Sequence, residues 1–277
     1  MLIDILYVVF IVFILLTVLY LFAIMPKMRN RPDLTPFQGR YYAHRGLHQS
    51  KRKSPENSMT AFQMAVEQNY GIELDVQLSK DNIPVIFHDY NLKRMCGVDK
   101  KVCDLTYEEL QAYNLYNSKE KIPTLKSFLE MVDGKVPLIV EFKVEAHNTS
   151  VCDEAIKLLD HYKGVYCVES FNPLVLIWFK KNRPNIIRGQ LSSNLLKDKE
   201  SGNPYLYFVL QNLLLNFITK PNFIAYNHIH RYMLSLKLCR LLYKIPTFAW
   251  TIKTNEDLES NRGHFDFFIF DHFVPDK

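Results

Sequence analysis

In the stretch Tyr42-Ala-His-Arg-Gly46, a short apolar run is followed directly by two ionisable side chains, those of His44 and Arg45. Four later stretches carry similar polar residues, mostly at the ends of apolar runs: Pro55-Glu-Asn-Ser58, Gly71-Ile-Glu-Leu-Asp-Val76, Phe87-His-Asp89 and Glu141-Phe-Lys143. An apolar run that ends in polar residues is typical of a strand whose C-terminal end reaches a functional site. The five stretches therefore guide the interpretation of the rest of the chain.

The stretch around Glu73 and Asp75 reads as a strand in which both carboxylates point to the same face, because they lie two residues apart. Only a few residues separate it from the next apolar run, at 85–87, so the two strands should form an antiparallel hairpin. A two-residue turn at 81–82 would place His88 opposite Asp75. The hairpin is therefore predicted to return a histidine to the carboxylate pair.

Strands and helices are predicted to alternate along most of the chain. The run 137–142 is almost entirely apolar, as in a parallel strand covered on both faces. Roughly eight parallel strands are expected besides the second hairpin strand, which predicts an α/β fold of the TIM-type (β/α)8 barrel class. An open doubly wound sheet is disfavoured because no glycine-rich dinucleotide turn follows the first strand. In a barrel, the C-terminal strand ends meet at one mouth, which would gather His44, Glu73, Asp75, Glu141, Glu169 and Trp250.

The N-terminal part of the chain is an uncharged apolar segment from Ile5 to Met25. Its length suits one transmembrane helix across a hydrocarbon core of about 30 Å. Asp4 precedes the segment and cations follow it, unlike a cleavable signal peptide, so a retained single-pass anchor in the cell membrane is expected. The positive-inside rule then places the catalytic domain in the cytoplasm, with its mouth close to lipid. The predicted organisation is an anchor at 1–26, a linker at 27–39 and a barrel domain at 40–277.

The composition argues against two other classes of protein. The chain has 277 residues and a formal net charge of +5, without a dense run of Lys or Arg among aromatic residues, so nucleic acid is not an expected partner. Its 5 cysteines are scattered and lack a C-x-x-C pair. They are therefore interpreted as reduced thiols that take no part in zinc or redox chemistry.

Converging carboxylates need a compensating cation, because two unit charges about 4 Å apart repel by roughly 4 kcal/mol at an effective dielectric of 20. Oxygen ligands favour Ca²⁺ or Mg²⁺ over zinc, so one such divalent cation is predicted at Glu73, Asp75 and Glu141. Glu56 is a candidate for a fourth carboxylate. The alternative is a salt-bridge network in which Lys143 and Arg45 neutralise the acids.

His44 and His88 could share the proton transfers of phosphodiester hydrolysis. An imidazole pKa near 6.5 allows one ring to act as a base and the other as an acid at neutral pH. Arg45 offers a planar fork for phosphate oxygens, and Lys143 would offset charge that develops on phosphorus. In this hypothesis the metal acts mainly as a charge clamp.

These stretches, in this order from Tyr42 to Asp271, resemble the glycerophosphodiester phosphodiesterase family, as do Ser170-Phe171 and Trp250-Thr-Ile252. The resemblance implies the barrel fold and hydrolysis of glycerophosphodiesters to an alcohol and sn-glycerol 3-phosphate, in phospholipid metabolism. It implies that His44 and His88 are the acid–base pair and that Glu73, Asp75 and Glu141 are the metal ligands. It also implies that Arg45 and Lys143 bind the phosphate and that Glu56 and Trp250 belong to the substrate pocket. Lys253 and Phe270 replace the family's usual Asn and Thr, which implies different contacts to the leaving group.

Two other functions remain open at the level of sequence. A phospholipase acting on intact membrane phospholipids would fit the anchor and an apolar helix at 204–219, which is interpreted either as packed against protein or as dipping into a membrane. A catalytically silent, membrane-tethered binding module is disfavoured because both histidines and all three carboxylates are present. His228 and His230 suggest a second metal site, but a lone His-x-His is more typical of a polar loop.

Overall fold

A computed structural model describes residues 1–48, 52–198 and 202–275 of the chain. Within them the strands are β1 (Tyr42–Ala43), β2 (Gly71–Leu78), β3 (Pro84–Ile86), β4 (Leu138–Phe142), β5 (Tyr166–Ser170), β6 (Arg188–Ser192), β7 (Phe223–Asn227), β8 (Thr247–Ile252) and β9 (Phe267–Phe270). The predicted end of the barrel domain, residue 277, lies outside the described residues.

Helices occupy most of the connections between these strands. They are α1 (Leu2–Ala23), α2 (Met59–Glu67), α3 (Lys93–Cys96), α4 (Tyr107–Leu110), α5 (Leu125–Val132), α6 (Ser150–Leu159), α7 (Pro173–Asn182), α8 (Pro204–Gln211), α9 (Asn216–Thr219), α10 (Leu234–Tyr243) and α11 (Asn255–Asn261). Several begin at a predicted cap. Ser58, for example, accepts a hydrogen bond from the Ala61 amide at the start of α2.

Eight of the strands form a closed parallel barrel, because β1 pairs with both β2 and β9. The order around the ring is β1, β2, β4, β5, β6, β7, β8 and β9, and β3 lies outside it, antiparallel to the end of β2. The predicted TIM-type (β/α)8 barrel with one hairpin is therefore confirmed. Its mouth is the end at which the strands have their C-termini.

The register of the β2–β3 hairpin was predicted wrongly by one residue. Phe87 lies opposite Asp75, with its amide 3.0 Å from the Asp75 carbonyl oxygen, so His88 does not. The physical reason is a three-residue connection, 80–82, in place of the two-residue turn. Its last residue, Asn82, has a φ of +61°, as is common where a three-residue hairpin loop ends in the left-handed region.

The stretch 27–39, predicted as a linker, packs partly into the barrel. Leu34 and Phe37 are buried, and the Tyr42 hydroxyl donates to the Phe37 carbonyl over 2.7 Å. They join an apolar cluster with residues such as Phe223 and Phe267, at the N-terminal ends of their strands. Burying a large apolar side chain stabilises by about 1.5–3 kcal/mol, which favours this packed arrangement over a free spacer. The segment closes the barrel end opposite the mouth.

Helix α1 is exposed along most of its length, and its length and composition would allow it to cross a membrane. The turn that follows it contacts the barrel, where Asn216 Nδ2 donates to the Ile24 carbonyl over 3.1 Å. The Tyr243 hydroxyl also donates to the Leu21 carbonyl over 2.7 Å. Tyr20 lies close to Ser235 at the start of α10, whereas the Lys27 amide donates to the Pro221 carbonyl just before β7. The end of α1 therefore runs along the barrel wall, and the chain leaves it toward the N-terminal ends of the strands. The expectation that the anchor holds the mouth close to lipid stays a prediction.

The apolar segment 204–219, predicted as one helix, is divided into α8 and α9. The break occurs at Leu213, which has a φ of +58° and a buried side chain. A left-handed residue ends a right-handed helix, and here it lets Leu213 pack inward. On α8 the side chains of Tyr205 and Phe208 remain 83% and 54% exposed.

Candidate active site

Three carboxylates converge at the barrel mouth. Glu73 and Asp75 point to the same side of β2, and the parallel ladder pairs Asp75 with Glu141 of β4. One oxygen of each carboxylate lies within 4.8 Å of the other two, and all three residues are buried. The structure thus brings together the three residues that the sequence predicts as metal ligands.

The three carboxylic acids of this group have different pKa values. Burial and the charges of Asp75 and Glu141 raise the pKa of Glu73. Burial, aided by Asp75 and opposed by Lys143, raises the pKa of Glu141 to about 7. Although burial opposes ionisation of Asp75 as well, Lys143, His88 and Arg45 hold the pKa of Asp75 well below its usual value. Two of the three acids are therefore protonated more readily than an ordinary glutamic acid.

Lys143 and Arg45 border the carboxylates and form the salt bridges of the alternative hypothesis. Lys143 Nζ lies 2.8 Å from Glu141 Oε1 and 3.1 Å from Asp75 Oδ1. Arg45 Nε lies 3.4 Å from Asp75 Oδ2, and the Arg45 amide donates to Glu73 Oε2 over 3.0 Å. The pKa values of Glu73 and Glu141 are raised despite these contacts. The salt bridges alone therefore leave the group short of positive charge.

The donor set fits a hard divalent cation. Its three donors are carboxylate oxygens, the ligand type that Ca²⁺ and Mg²⁺ prefer. Asp75 Oδ1 is buried and makes no well-oriented hydrogen bond, even with Lys143 Nζ at 3.1 Å. A divalent ion would supply the charge that keeps Glu73 and Glu141 ionised.

The backbone that presents His44 passes through the left-handed region at the next two residues. Arg45 has a φ of +56° and Gly46 a φ of +83°. A Cβ atom on Gly46 would lie 2.9 Å from Phe62 Cδ1 and 3.0 Å from the backbone carbon of Ala61. Glycine is therefore required both for its backbone conformation and for the close approach to α2.

His44 is oriented by Asp271. Its Nδ1 lies 3.1 Å from Asp271 Oδ2, and its Nε2 lies 4.0 Å from Glu73 Oε2. Asp271 follows β9, which pairs with β1, so barrel closure brings the carboxylate to the histidine. Burial and the charge of Arg45 lower the pKa of His44 to about 4, although Asp271 opposes this. A neutral His44 can accept a proton at Nε2 when Nδ1 donates to Asp271.

His88 has a carboxylate partner of its own. Its Nδ1 lies 2.6 Å from Asp89 Oδ1, and Asp89 also accepts a hydrogen bond from Arg94 Nε over 2.6 Å. Burial lowers the pKa of His88, while the charge of Asp75 raises it. Both histidines are thus held through Nδ1, which leaves Nε2 for the substrate.

Glu56 lies between two arginines. Arg45 Nη1 and Arg94 Nη2 each donate to Glu56 Oε1 over 2.7 Å, and Arg94 Nη1 donates to Oε2 over 2.8 Å. Although burial opposes it, these arginines lower the pKa of Glu56 to about 2. Among the described residues Glu56 is not part of the group of converging metal-ligand atoms. Its carboxylate fixes the direction of the Arg45 guanidinium.

Trp250 lies near the end of β8, at the mouth. Its ring packs edge-on against Phe171, with ring centroids 5.7 Å apart, and its indole Nε1 is buried without a hydrogen-bond partner.

His228 and His230 have separate partners. His228 Nδ1 lies 3.2 Å from Asn261 Nδ2, whereas His230 Nε2 lies 2.8 Å from Asp198 Oδ1. The two side chains thus have different partners, and residues 228–230 form a short 3-10 helix in which His228 is buried.

Several residues at the site had no role in the sequence-based hypothesis. Asn57 Nδ2 donates to Asp75 Oδ2 over 2.8 Å, and Glu169 is buried beside Glu141 in the β4–β5 ladder. The others are Asp89, Arg94 and Asp271. Barrel closure could have indicated Asp271, because the last strand of a barrel pairs with the first.

Comparison with known proteins agrees with this fold and site. The model of the glycerophosphoryl diester phosphodiesterase family matches residues 44–272. A glycerophosphodiester phosphodiesterase of Bacillus altitudinis is 32% identical over 167 residues, which are 56% of this chain and 67% of that protein. The lysophospholipase D GDPD1 of Rattus norvegicus is 28% identical over 205 residues, which are 69% of this chain and 58% of that protein.

Solved structures share the barrel. An Oleispira antarctica phosphodiesterase in complex with the product sn-glycerol-3-phosphate superposes with a TM-score of 0.67 at 23% identity, covering 85% of this chain and 94% of that one. Because the family model spans most of the barrel, this chain belongs to the glycerophosphoryl diester phosphodiesterase family and is a phosphoric diester hydrolase.

Proposed function

We propose that this enzyme hydrolyses water-soluble glycerophosphodiesters to an alcohol and sn-glycerol 3-phosphate, as a step of phospholipid metabolism, and that it requires one divalent cation. The observation that carries the proposal is the convergence of three buried carboxylates at the mouth that also holds two carboxylate-oriented histidines. The same product is bound to the Oleispira antarctica phosphodiesterase.

The ligands of the cation in this proposal are Glu73, Asp75 and Glu141. When bound, Ca²⁺ or Mg²⁺ supplies positive charge that offsets the charge of the diester and of its pentacoordinate transition state. Arg45 and Lys143 bind phosphate oxygens, because both cationic groups border the carboxylates. Glu56 keeps the Arg45 fork in position, and Trp250 lines the pocket.

His44 and His88 transfer the protons in this proposal. His44 is neutral at pH 7, since its pKa is lowered to about 4, and at Nε2 it accepts the proton of the attacking oxygen. That oxygen belongs to water or to the neighbouring hydroxyl of the substrate, in which case water then opens the cyclic phosphate. Asp271 then stabilises the imidazolium that forms. His88, which is held by Asp89 and lies near the Asp75 carboxylate, delivers a proton to the leaving oxygen, although burial lowers its pKa.

The cellular arrangement in this proposal is a single-pass anchor at 1–26, in the cell membrane, with the barrel in the cytoplasm. It is supported by the apolar, exposed α1 and by Lys27, Arg29 and Arg31 directly after it. The barrel domain then includes residues 27–39, because Leu34 and Phe37 are buried in it. Protease treatment of sealed and of permeabilised cells tests the arrangement: the barrel should be degraded only after permeabilisation.

A soluble substrate is supported by the sn-glycerol-3-phosphate bound to the Oleispira antarctica phosphodiesterase, since this product carries no acyl chain. A glycerophosphodiester reaches the barrel mouth from water, whereas an intact phospholipid would first have to leave the bilayer.

Turnover of a substrate panel by the full-length chain in detergent tests the proposal. The panel is sn-glycero-3-phosphocholine, a lysophosphatidylcholine, included because of the rat lysophospholipase D, and a diacyl phosphatidylcholine. We expect the first to be hydrolysed fastest, EDTA to abolish turnover, and Ca²⁺ or Mg²⁺ to restore it. Faster turnover of the diacyl lipid would contradict the substrate, and full activity in EDTA would contradict the metal requirement.

A further inference from the structure

A second group of ligand side chains lies beside the active site and shares Asp271 with it. It consists of His48, Asp271 and His272, and one ligand atom of each lies within 4.8 Å of the other two. His48 Nε2 is 2.7 Å from Asp271 Oδ1, and His272 Nε2 is 3.6 Å from Asp271 Oδ2. The two imidazole rings are nearly perpendicular, with centroids 5.1 Å apart.

Barrel closure assembles this group. His48 follows β1 and Asp271 follows β9, and these two strands pair through Ala43 and Phe270. A backbone hydrogen bond to β8 holds Asp271 in place: its amide donates to the Ile252 carbonyl over 2.8 Å. The two inner ligands therefore stand on the rigid rim of the barrel.

The contacts within the group leave an oxygen of Asp271 able to bind a metal ion. Asp271 Oδ1 is buried and makes no well-oriented hydrogen bond, although His48 Nε2 is only 2.7 Å away. The His48 side chain is 12% exposed, whereas that of His272 is 65% exposed. An ion could therefore enter from solvent past His272 and reach the two inner ligands.

We propose that His48, Asp271 and His272 form a second cation site, which prefers borderline transition metals such as Zn²⁺ to Ca²⁺ and Mg²⁺. Two imidazole nitrogens and one carboxylate oxygen are a typical zinc donor set. The three carboxylates of the first site suit hard cations instead. This site goes beyond the proposed function, because the hydrolysis described above requires neither His48 nor His272.

Calorimetric titration with Zn²⁺ tests the site on the full-length chain in detergent. Excess Mg²⁺ is present throughout to occupy the site of Glu73, Asp75 and Glu141. All variants carry Cys103→Ser, because Cys103 is an exposed thiol that could bind zinc. We expect one Zn²⁺ per chain, with an affinity at least tenfold lower in His48→Ala and in His272→Ala, as loss of one ligand from a small set requires.

The matched control is His161→Ala, an exposed histidine whose Nδ1 contacts only the Lys157 carbonyl, at 2.8 Å. Its Zn²⁺ titration should match that of the parent. Glu141→Gln should also leave the Zn²⁺ titration unchanged while it weakens Mg²⁺ binding, so that failure of the two sites can be told apart. His272 is exposed, so His272→Ala should fold even if His48→Ala does not. Absence of Zn²⁺ binding in the parent, or equal binding in the parent and His272→Ala, would overturn the proposal.

Discussion

At the scale of single residues, the two histidines share one design. Each has Nδ1 next to a carboxylate: Asp271 for His44 and Asp89 for His88. A carboxylate in this position fixes the ring and stabilises its protonated form once a proton arrives. The three buried acids are farther from His44 than its partner Asp271, since His44 Nε2 is 4.0 Å from Glu73 Oε2. Proton transfer and metal binding should therefore respond to different substitutions.

Replacing His44 by Ala should reduce kcat by at least about 100-fold, the usual contribution of a general acid or base. Its affinity for Ca²⁺ or Mg²⁺ should stay nearly unchanged, because His44 is not a ligand in the proposed site. Turnover of sn-glycero-3-phosphocholine and calorimetric metal binding measure the two effects. Glu141→Gln is the control that should lose both. Equal losses of turnover and metal affinity in His44→Ala would contradict its role.

The metal-free enzyme should become less stable as the pH rises from 6.5 to 8. The pKa of Glu141 is raised to about 7 and that of Glu73 is also raised, so the folded state binds more protons than the unfolded state until these acids ionise. Stability is then lost as the pH rises through the folded pKa. His44 and His88 have lowered pKa values and act with the opposite sign, but only below about 6.5, where an unfolded histidine is protonated.

Urea unfolding midpoints in EDTA at pH 6.5 and pH 8 measure this effect. Glu141→Gln should reduce the difference between the two pH values, since the amide does not ionise. Added Ca²⁺ or Mg²⁺ should stabilise the parent more at pH 8 than at pH 6.5. A midpoint that rises with pH in EDTA would show that these acids are already neutralised without a metal.

At the scale of elements, the strands were predictable because apolar runs that end in polar residues mark both the strand and its mouth end. The predicted site residues follow from that pattern and from barrel closure. Local turn geometry was not predictable to the residue: the hairpin loop gained one residue through the left-handed Asn82, and Leu213 divided an apolar segment into two helices. Arg94 lies on α3, a helix of only four residues, and so short a helix shows no apolar periodicity in the sequence. The position of Arg94 was therefore not predictable.

The turn after β1 offers a test of how tightly the elements pack. Gly46→Ala combines a positive φ with a Cβ atom 2.9 Å from Phe62 and 3.0 Å from the backbone of α2. We expect a destabilisation of about 2–4 kcal/mol and loss of turnover, because the turn presents His44. Gly97→Ala is the matched control: its φ is +73°, but no atom lies within 4 Å of the added Cβ. It should cost only about 1–2 kcal/mol. Equal costs in urea unfolding would show that the contact with α2 adjusts freely.

At the scale of the whole molecule, the two ends of the barrel have different tasks. The N-terminal end holds the turn after α1 and the buried Leu34 and Phe37, whereas the C-terminal end holds every residue proposed for the reaction. The sequence could indicate both an anchor and a mouth. It could not indicate how the two are arranged relative to each other, since that depends on where Leu21 and Ile24 contact α9 and α10.

Two truncations separate membrane attachment from folding. Removal of residues 1–19 deletes the exposed part of α1 but keeps the turn that contacts the barrel, including Leu21 and Ile24. This variant should lose association with vesicles and keep kcat/KM on sn-glycero-3-phosphocholine within about twofold, because residues 1–19 are exposed and none of them belongs to the candidate active site. Removal of residues 1–39 also deletes Leu34 and Phe37, and the loss of two buried apolar side chains should destabilise the barrel by at least about 3 kcal/mol. Flotation with vesicles, turnover and urea unfolding measure the three effects. A large loss of turnover in the shorter truncation would show that α1 supports the active site directly, and unchanged stability in the longer one would show that 27–39 is a free linker.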